Sequence, residues 1–326
     1  MEQTITPALR VDRRALAAAG VTVLLWASAF VAIRSAAQHF SPGALALGRL
    51  FAGSVVLGVI WLARGGGLPP RAAWPGILGS GVLWFGLYMV ALNWGEHEVD
   101  AGTAAMLVNV GPVLIALLGG WVLKEGFPPR LLAGMAVSFA GAAVVGLSMS
   151  NGAGASSDGG GASIVGVLLC LLAAATYAAG VVCQKPALRH ASAVQVTAFG
   201  CFIGTAACLP FTGQLISQVV SAPLPATLNV VYLGVFPTAL AFTTWAYALA
   251  RTTAGKMGAT TYVVPALVVL MAWAVLGEVP GWLTLVGGLL CLAGVAVSRG
   301  GGRRATAAAV PPSPEAAPPG NVTPIT

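Results

Sequence analysis

Few residues in this chain are equipped for chemistry, and Arg49 is the first to stand apart. It lies about 10 Å along a helix that begins after Pro42, inside the apolar run PGALALGRLFAG. A guanidinium at that depth is costly unless it faces protein or water. Its planar fork of donors can hold a carboxylate or clamp carbonyls at nearby helix ends, and the residue alone leaves both roles open. Pro112 and Pro265 fall near the middle of two further apolar runs. Each removes one helical hydrogen bond, freeing roughly the carbonyls of Val108 and Thr261. Asn109 and Tyr262 stand one turn before the two prolines. The pattern reads as two hinges beside polar contacts, or as two packing kinks. Four more charges make two candidate ion pairs, Arg34 with Glu278 and Lys185 with Glu125.

The elements that must position these groups follow from composition. Of 326 residues, 57% are hydrophobic and 8% charged, and the mean hydropathy is +0.88, whereas a soluble domain carries roughly 25% charge. So few charges cannot cover a water-exposed surface, and the apolar runs match the length a helix needs to cross a bilayer. The reading is an all-α integral membrane protein. Ten spans are expected, at roughly 15–36, 42–63, 72–93, 101–123 and 130–149, then 163–184, 193–211, 227–250, 255–276 and 280–298. The five cysteines all lie inside apolar runs, which suits packing rather than disulfides or a metal site.

Charge placement orients the spans. Fourteen of the 16 Lys and Arg residues fall on one side of this topology, all but Arg34 and Arg49. The opposite side carries Glu96, Glu98, Asp100, Asp158 and Glu278. Loops rich in Lys and Arg face the cytoplasm, so both termini are expected there, in a multi-pass protein of the inner or cytoplasmic membrane. The net charge of +7 is then a topology signal and not a nucleic-acid footprint.

A repeat divides the chain. The segment SNGAGASSDGGGA at 150–162 reads as a flexible linker, and an offset of 153 carries Ala101, Gly102, Asn109, Pro112 and Glu125 onto Ala254, Gly255, Tyr262, Pro265 and Glu278. The same offset carries Gly134 and Gly141 onto Gly287 and Gly294, and an offset of 151 carries Trp26 and Arg34 onto Tyr177 and Lys185. The expected organisation is a cytoplasmic segment (1–14), a five-helix unit (15–149), the linker, a second five-helix unit (163–298) and a cytoplasmic tail (299–326). Five is odd, so the second unit enters the membrane inverted, as in many secondary transporters.

The chain resembles the drug/metabolite transporter superfamily, in its ten-helix EamA form. LLWASAFVAIR (24–34), PGALALGRLFAG (42–53), AGTAAMLVNVGPVLIALLGGWVLKE (101–125) and ATTYVVPALVVLMAWAVLGE (259–278) carry the resemblance, which spans about 15–298. It implies ten transmembrane helices in two inverted repeats around a central cavity, and export or facilitated passage of small metabolites such as amino acids. Aromatic residues fit such a plan. Trp61, Trp74, Trp94, Trp121 and Trp282 lie near span ends, as an interfacial belt does. Trp26, Trp84, Tyr88, Tyr177, Trp245 and Tyr262 lie deeper and join Arg49 and Asn109 as candidate cavity residues.

The repeat exchanges the pairs Arg34–Glu278 and Lys185–Glu125, so one could close as the other opens, as in a two-state gate; four separate interfacial charges are the plainer reading. All nine acids and the three histidines fall in loops, tails or span ends, so proton coupling is not demanded and facilitated diffusion suffices. Glu125 and Glu278 are otherwise the first acids to consider. No HExxH, GxSxG or GxxxxGK[ST] occurs, which leaves an intramembrane enzyme or a primary pump without its parts. A sensor or scaffold is the remaining alternative. No cofactor or metal is expected, and the partners are a small-molecule substrate and the lipid bilayer, with the chain acting as a monomer.

Overall fold

The computed structural model describes residues 13–122, 129–150, 164–251, 254, 257 and 260–299. Ten helices make up the fold: α1 (Arg13–Ala36), α2 (Pro42–Ala63), α3 (Arg71–Glu98), α4 (Ala101–Val122), α5 (Pro129–Ser150), α6 (Ile164–Ala187), α7 (Ala193–Ser221), α8 (Leu224–Arg251), α9 (Val264–Leu276) and α10 (Trp282–Arg299). Seven of them, α1 to α4 and α6 to α8, are long and apolar enough to cross a membrane; α9 and α10 are apolar but shorter among the described residues. This is an all-α, multi-span membrane fold. The expected terminal segments and linker lie outside the described residues, except at their junctions with helices.

Local chemistry sets several helix ends. Asp100 caps α4 by accepting from the Thr103 amide at 2.9 Å, and Ser192 with Gln195 forms a reciprocal cap at the start of α7, each satisfying amides that lack an intrahelical partner. α9 ends at Gly277, whose φ of 68° is a backbone state that side chains with a Cβ resist. The turn delivers Glu278 to the neighbourhood of α1.

Both prolines singled out in the sequence interrupt their helices. α4 breaks at Asn109 and Val110 and resumes at Gly111. α9 is entered through the tight 3-10 turn Thr261–Val263, with Pro265 in its first turn. Two further interruptions fall at matching places: a wide π-helical turn at Gly81–Leu87 in α3 and another at Gly234–Leu240 in α8. Their bounds differ by the same 153 positions that relate the sequence halves.

Residues related by the repeat also meet face to face. Ser54 of α2 and Thr205 of α7 share a hydroxyl hydrogen bond of 2.8 Å, and the rings of Trp26 in α1 and Tyr177 in α6 lie 6.4 Å apart. The small-residue stripes of α5 and α10 pack on each other within the chain, where Gly141 and Gly294 each leave no room for a Cβ against the opposite backbone. Close helix contact of this kind needs small side chains.

The two ends of the molecule differ in charge. At one end Arg34, Glu96, Asp100 and Glu278 gather around the α1–α2, α3–α4 and α9–α10 corners. Asn93 there donates to the Pro42 carbonyl at 3.2 Å, and His97 Nε2 lies 3.1 Å from the Phe40 carbonyl. At the other end Arg64 and Arg251 border a shared cleft, and Lys185 donates to the Leu249 carbonyl. Here they are the acidic end and the basic end.

Candidate functional site

Between the ends, α1, α2, α3, α4, α6, α8 and the start of α9 enclose a cavity of about 50 Å³, measured as the space open to the centre of a water-sized sphere. That holds roughly three to five waters. Larger solutes require the wall to move. The wall is mostly apolar and aromatic: Phe30, Trp84, Leu92, Phe242 and Val264 contribute, with Tyr88 and Tyr177 beside them. Trp26 is the hub, with its ring centroid 4.9 Å from Trp245, 5.4 Å from Phe242 and 6.0 Å from Trp84. Trp245 sits one layer behind the wall, fully buried against Trp26, and does not line the cavity.

The polar edge of the cavity is rich in donors. Arg49 is 2% exposed, and its position follows from a chain of local events in α8. Pro237 has no N–H to give the Leu233 carbonyl. The Thr238 hydroxyl takes that place, donating to Leu233 O at 2.8 Å. Its oxygen then accepts from Arg49 Nε at 3.3 Å. The wide turn thus anchors one arm of the guanidinium, while Nη1 has no hydrogen-bond partner among the described residues. A similar device fixes Asn109. Thr261 donates to its Oδ1 at 3.4 Å, which leaves Nδ2 unpartnered, and Trp26 Nε1 is unpartnered as well. Three buried donors border one small space, where unmet hydrogen bonds are expensive.

The candidate gate residues occupy both ends. Arg34 Nε binds Glu278 Oε1 at 2.9 Å, with both side chains about one-third exposed, and Arg34 Nη1 donates to the Glu96 carbonyl at 2.9 Å. Lys185 lies at the basic end beside α8. Glu125 and the side chain of Tyr262 lie outside the described residues. Pro112 and Pro265 are buried beside the cavity-lining residues Asn109 and Val264.

One expectation needs correction. The third span was expected to end near residue 93; instead α3 continues to Glu98, and Glu96, within the last turn of that span, is completely buried. The run Asn93–Glu98 stays helical because Asn93 and His97 bind the α1–α2 corner and because Gly95 and Gly166 let α3 and α6 approach closely. Thr238, Thr261 and Phe242 were also missed. The Pro237-Thr238 step inside an apolar run was the available signal for the first, since a proline there leaves a carbonyl for a hydroxyl to claim.

A multi-span helical fold enclosing a small, aromatic-walled, donor-edged space, with helices broken beside it, defines a membrane transporter of small solutes. The chain belongs to the EamA-like transporter family, whose profile matches residues 13–147 and again 164–300. It is a secondary transporter moving small organic solutes. Among curated relatives, the probable terminal-alkyne amino-acid exporter of Streptantibioticus cattleyicolor is 36% identical over 84% of this chain and 90% of its own. The uncharacterized transporter YdfC of Bacillus subtilis is 34% identical over 83% of this chain and 86% of its own. The probable amino-acid metabolite efflux pump of Escherichia coli is 22% identical over 85% and 92%. A solved crystal structure shares the fold, with a TM-score of 0.59 at 23% identity over 89% of this chain and 97% of its own. Among the described residues no group of His, Cys, Asp and Glu is arranged to hold a metal ion.

Proposed function

We propose that the chain exports amino acids or closely related carboxylates from the cytoplasm by alternating access, with Arg49, Trp26 and Asn109 receiving the substrate's acceptor groups. The observation that carries this reading is the convergence of three unpartnered buried donors on one apolar-walled cavity. A carboxylate satisfies such donors with charge-assisted bonds, and the aromatic wall suits an organic body. Relatives named as amino-acid exporters or efflux pumps add support.

In this reading all ten helices cross the membrane as two inverted five-helix repeats, 15–149 and 163–298. The basic end faces the cytoplasm, which places both termini there. Pro112 and Pro265 serve as hinges. Arg34–Glu278 closes the acidic end, and Lys185–Glu125 closes the basic end when the first pair parts. The partial exposure of Arg34 and Glu278 keeps their bond weak enough to break in each cycle. The protein works as a monomer, since one chain supplies every wall of the cavity.

Purified protein in proteoliposomes, supplied with a panel of labelled L-amino acids, tests this. Saturable uptake that Arg49→Ala abolishes and Trp282→Ala leaves intact is the expected result. Uptake indifferent to Arg49→Ala removes the arginine from the site.

A further inference from the structure

Beyond the cavity, Glu96 is a buried ionisable group with no assigned task. It lies one helical turn past Leu92, on the face of α3 that carries Trp84, Tyr88 and Leu92 in four-residue steps, three residues that line the cavity. Its side chain is 0% exposed, and neither carboxyl oxygen has a hydrogen-bond partner among the described residues. The ionisable groups within electrostatic reach are Arg34 from α1, Arg49 from α2, Tyr88 from α3 itself, Asp100 from the α3–α4 corner, Cys170 from α6 and Glu278 from the α9–α10 corner. None of the cations is ion-paired with it; the pair among the described residues is Arg34–Glu278.

A carboxylate removed from water with no donor beside it is far more costly than the same group as a neutral acid. Arg34 is near enough to help and is turned elsewhere. Its Nε holds Glu278, and its Nη1 holds the Glu96 backbone carbonyl rather than the carboxyl. The same ion pair therefore closes the acidic end and withholds the cation that a Glu96 carboxylate requires.

We propose that Glu96 is a proton-carrying site, protonated while the Arg34–Glu278 pair is closed and deprotonated to water at the acidic end when the pair opens. On opening, the carboxyl O–H bond breaks, the proton passes to water, and the released Arg34 guanidinium faces the new carboxylate. A titratable group then stands between the solute cavity and the acidic end, behind the pair that closes that end. Proton release and solute release share one gate, which makes solute exchange proton-linked. The inference is independent of what Arg49 binds.

Infrared spectroscopy of the full chain in lipid nanodiscs, with no solute added, tests it. The wild type is expected to show the carbonyl stretch of a protonated carboxylic acid that resists exchange into D₂O. That band is expected to vanish in Glu96→Gln, to shift in Glu96→Asp and to persist in Asp100→Asn. Glu278→Gln, which removes the partner that holds Arg34 away from the Glu96 carboxyl, is expected to weaken or abolish that band at neutral pH. A wild type without the band, a band that neither Glu96 variant alters, or a band as strong in Glu278→Gln as in the wild type overturns the proposal. With no solute present, a failed assignment of Arg49 leaves these bands unchanged and shows only in the flux assay.

Discussion

Ser138 and Cys291, 153 positions apart in sequence, bind each other twice: Ser138 Oγ donates to the Cys291 carbonyl at 3.0 Å, and the Cys291 thiol donates to the Ser138 carbonyl at 3.3 Å. The exchange is reciprocal because α5 and α10 meet across the relation that connects the two halves. Gly141 and Gly294 flank it, each bare against the other helix's backbone.

That contact predicts a sharp size limit. Gly141→Leu forces α5 and α10 apart and is expected to cost about 1–3 kcal/mol, the usual range for overpacking. Cys291→Ser, which keeps a donor, is expected to cost less than about 1 kcal/mol. Thermal unfolding in detergent, followed by tryptophan fluorescence, separates the two; equal losses remove the close approach as the cause.

At Arg49, the anchor is as testable as the charge. Thr238→Val leaves Arg49 Nε without its hydroxyl partner, a loss of about 1–3 kcal/mol for a buried group. Reduced thermal stability and a higher half-saturating solute concentration are expected together, with Thr238→Ser restoring most of both. A Thr238→Val protein that transports normally dissolves the link between the wide turn of α8 and the arginine.

The Arg34–Glu278 pair is partly exposed, and its worth to stability is about 1 kcal/mol or less. Its worth to transport is expected to be larger. Arg34→Glu or Glu278→Arg alone should slow flux strongly with little change in melting temperature, and the double exchange should recover a substantial part. Flux measured in liposomes matched for protein content gives the answer, and a double variant as slow as either single one rejects the pair as a gate.

Asp100 offers a pH test. Burial pushes its carboxyl above the usual range, against two hydrogen bonds from Thr103 that lower it. A raised folded-state value means that the folded chain holds this proton more readily than the unfolded one. The group's contribution to stability is then largest at acid pH and is lost as pH rises through the raised value. Asp100→Asn is expected to flatten that dependence while keeping the cap, and Asp100→Ala to lose about 1 kcal/mol more. Unfolding curves collected across pH check both.

The deep arginine, the two proline breaks and the repeat were legible because each is a local departure from an apolar run. Glu96 was not, because charge in GEHEVD reads as contact with water; only the corner formed by Phe40 and Pro42, and the close approach of α6, keep that stretch helical and dry. Thr238 escaped for a related reason. A threonine in an apolar run is unremarkable until the carbonyl four residues before its neighbouring proline is followed in space, and the arginine it meets is 189 positions away. The ring cluster was visible as a list of deep aromatics, but the layer that puts Trp245 behind Trp26 depends on how α1 and α8 cross.

The wide turn at Gly81–Leu87 has a consequence for how α3 is addressed. A π-helical turn carries one residue more than the α-helical turn it replaces, and each residue rotates the helix face by roughly 100°. Everything after the turn is therefore out of phase with everything before it. Ile77 and Ser80 are buried in one frame, whereas Leu92 and Glu96 are buried in the next. Winding that turn as ordinary α-helix with no residue removed would swing Leu92 and Glu96 by roughly 100° away from their present side, whereas deleting the one extra residue would leave both facing as they do. The identity of the residues facing the solute is set by that inserted position as much as by their own side chains.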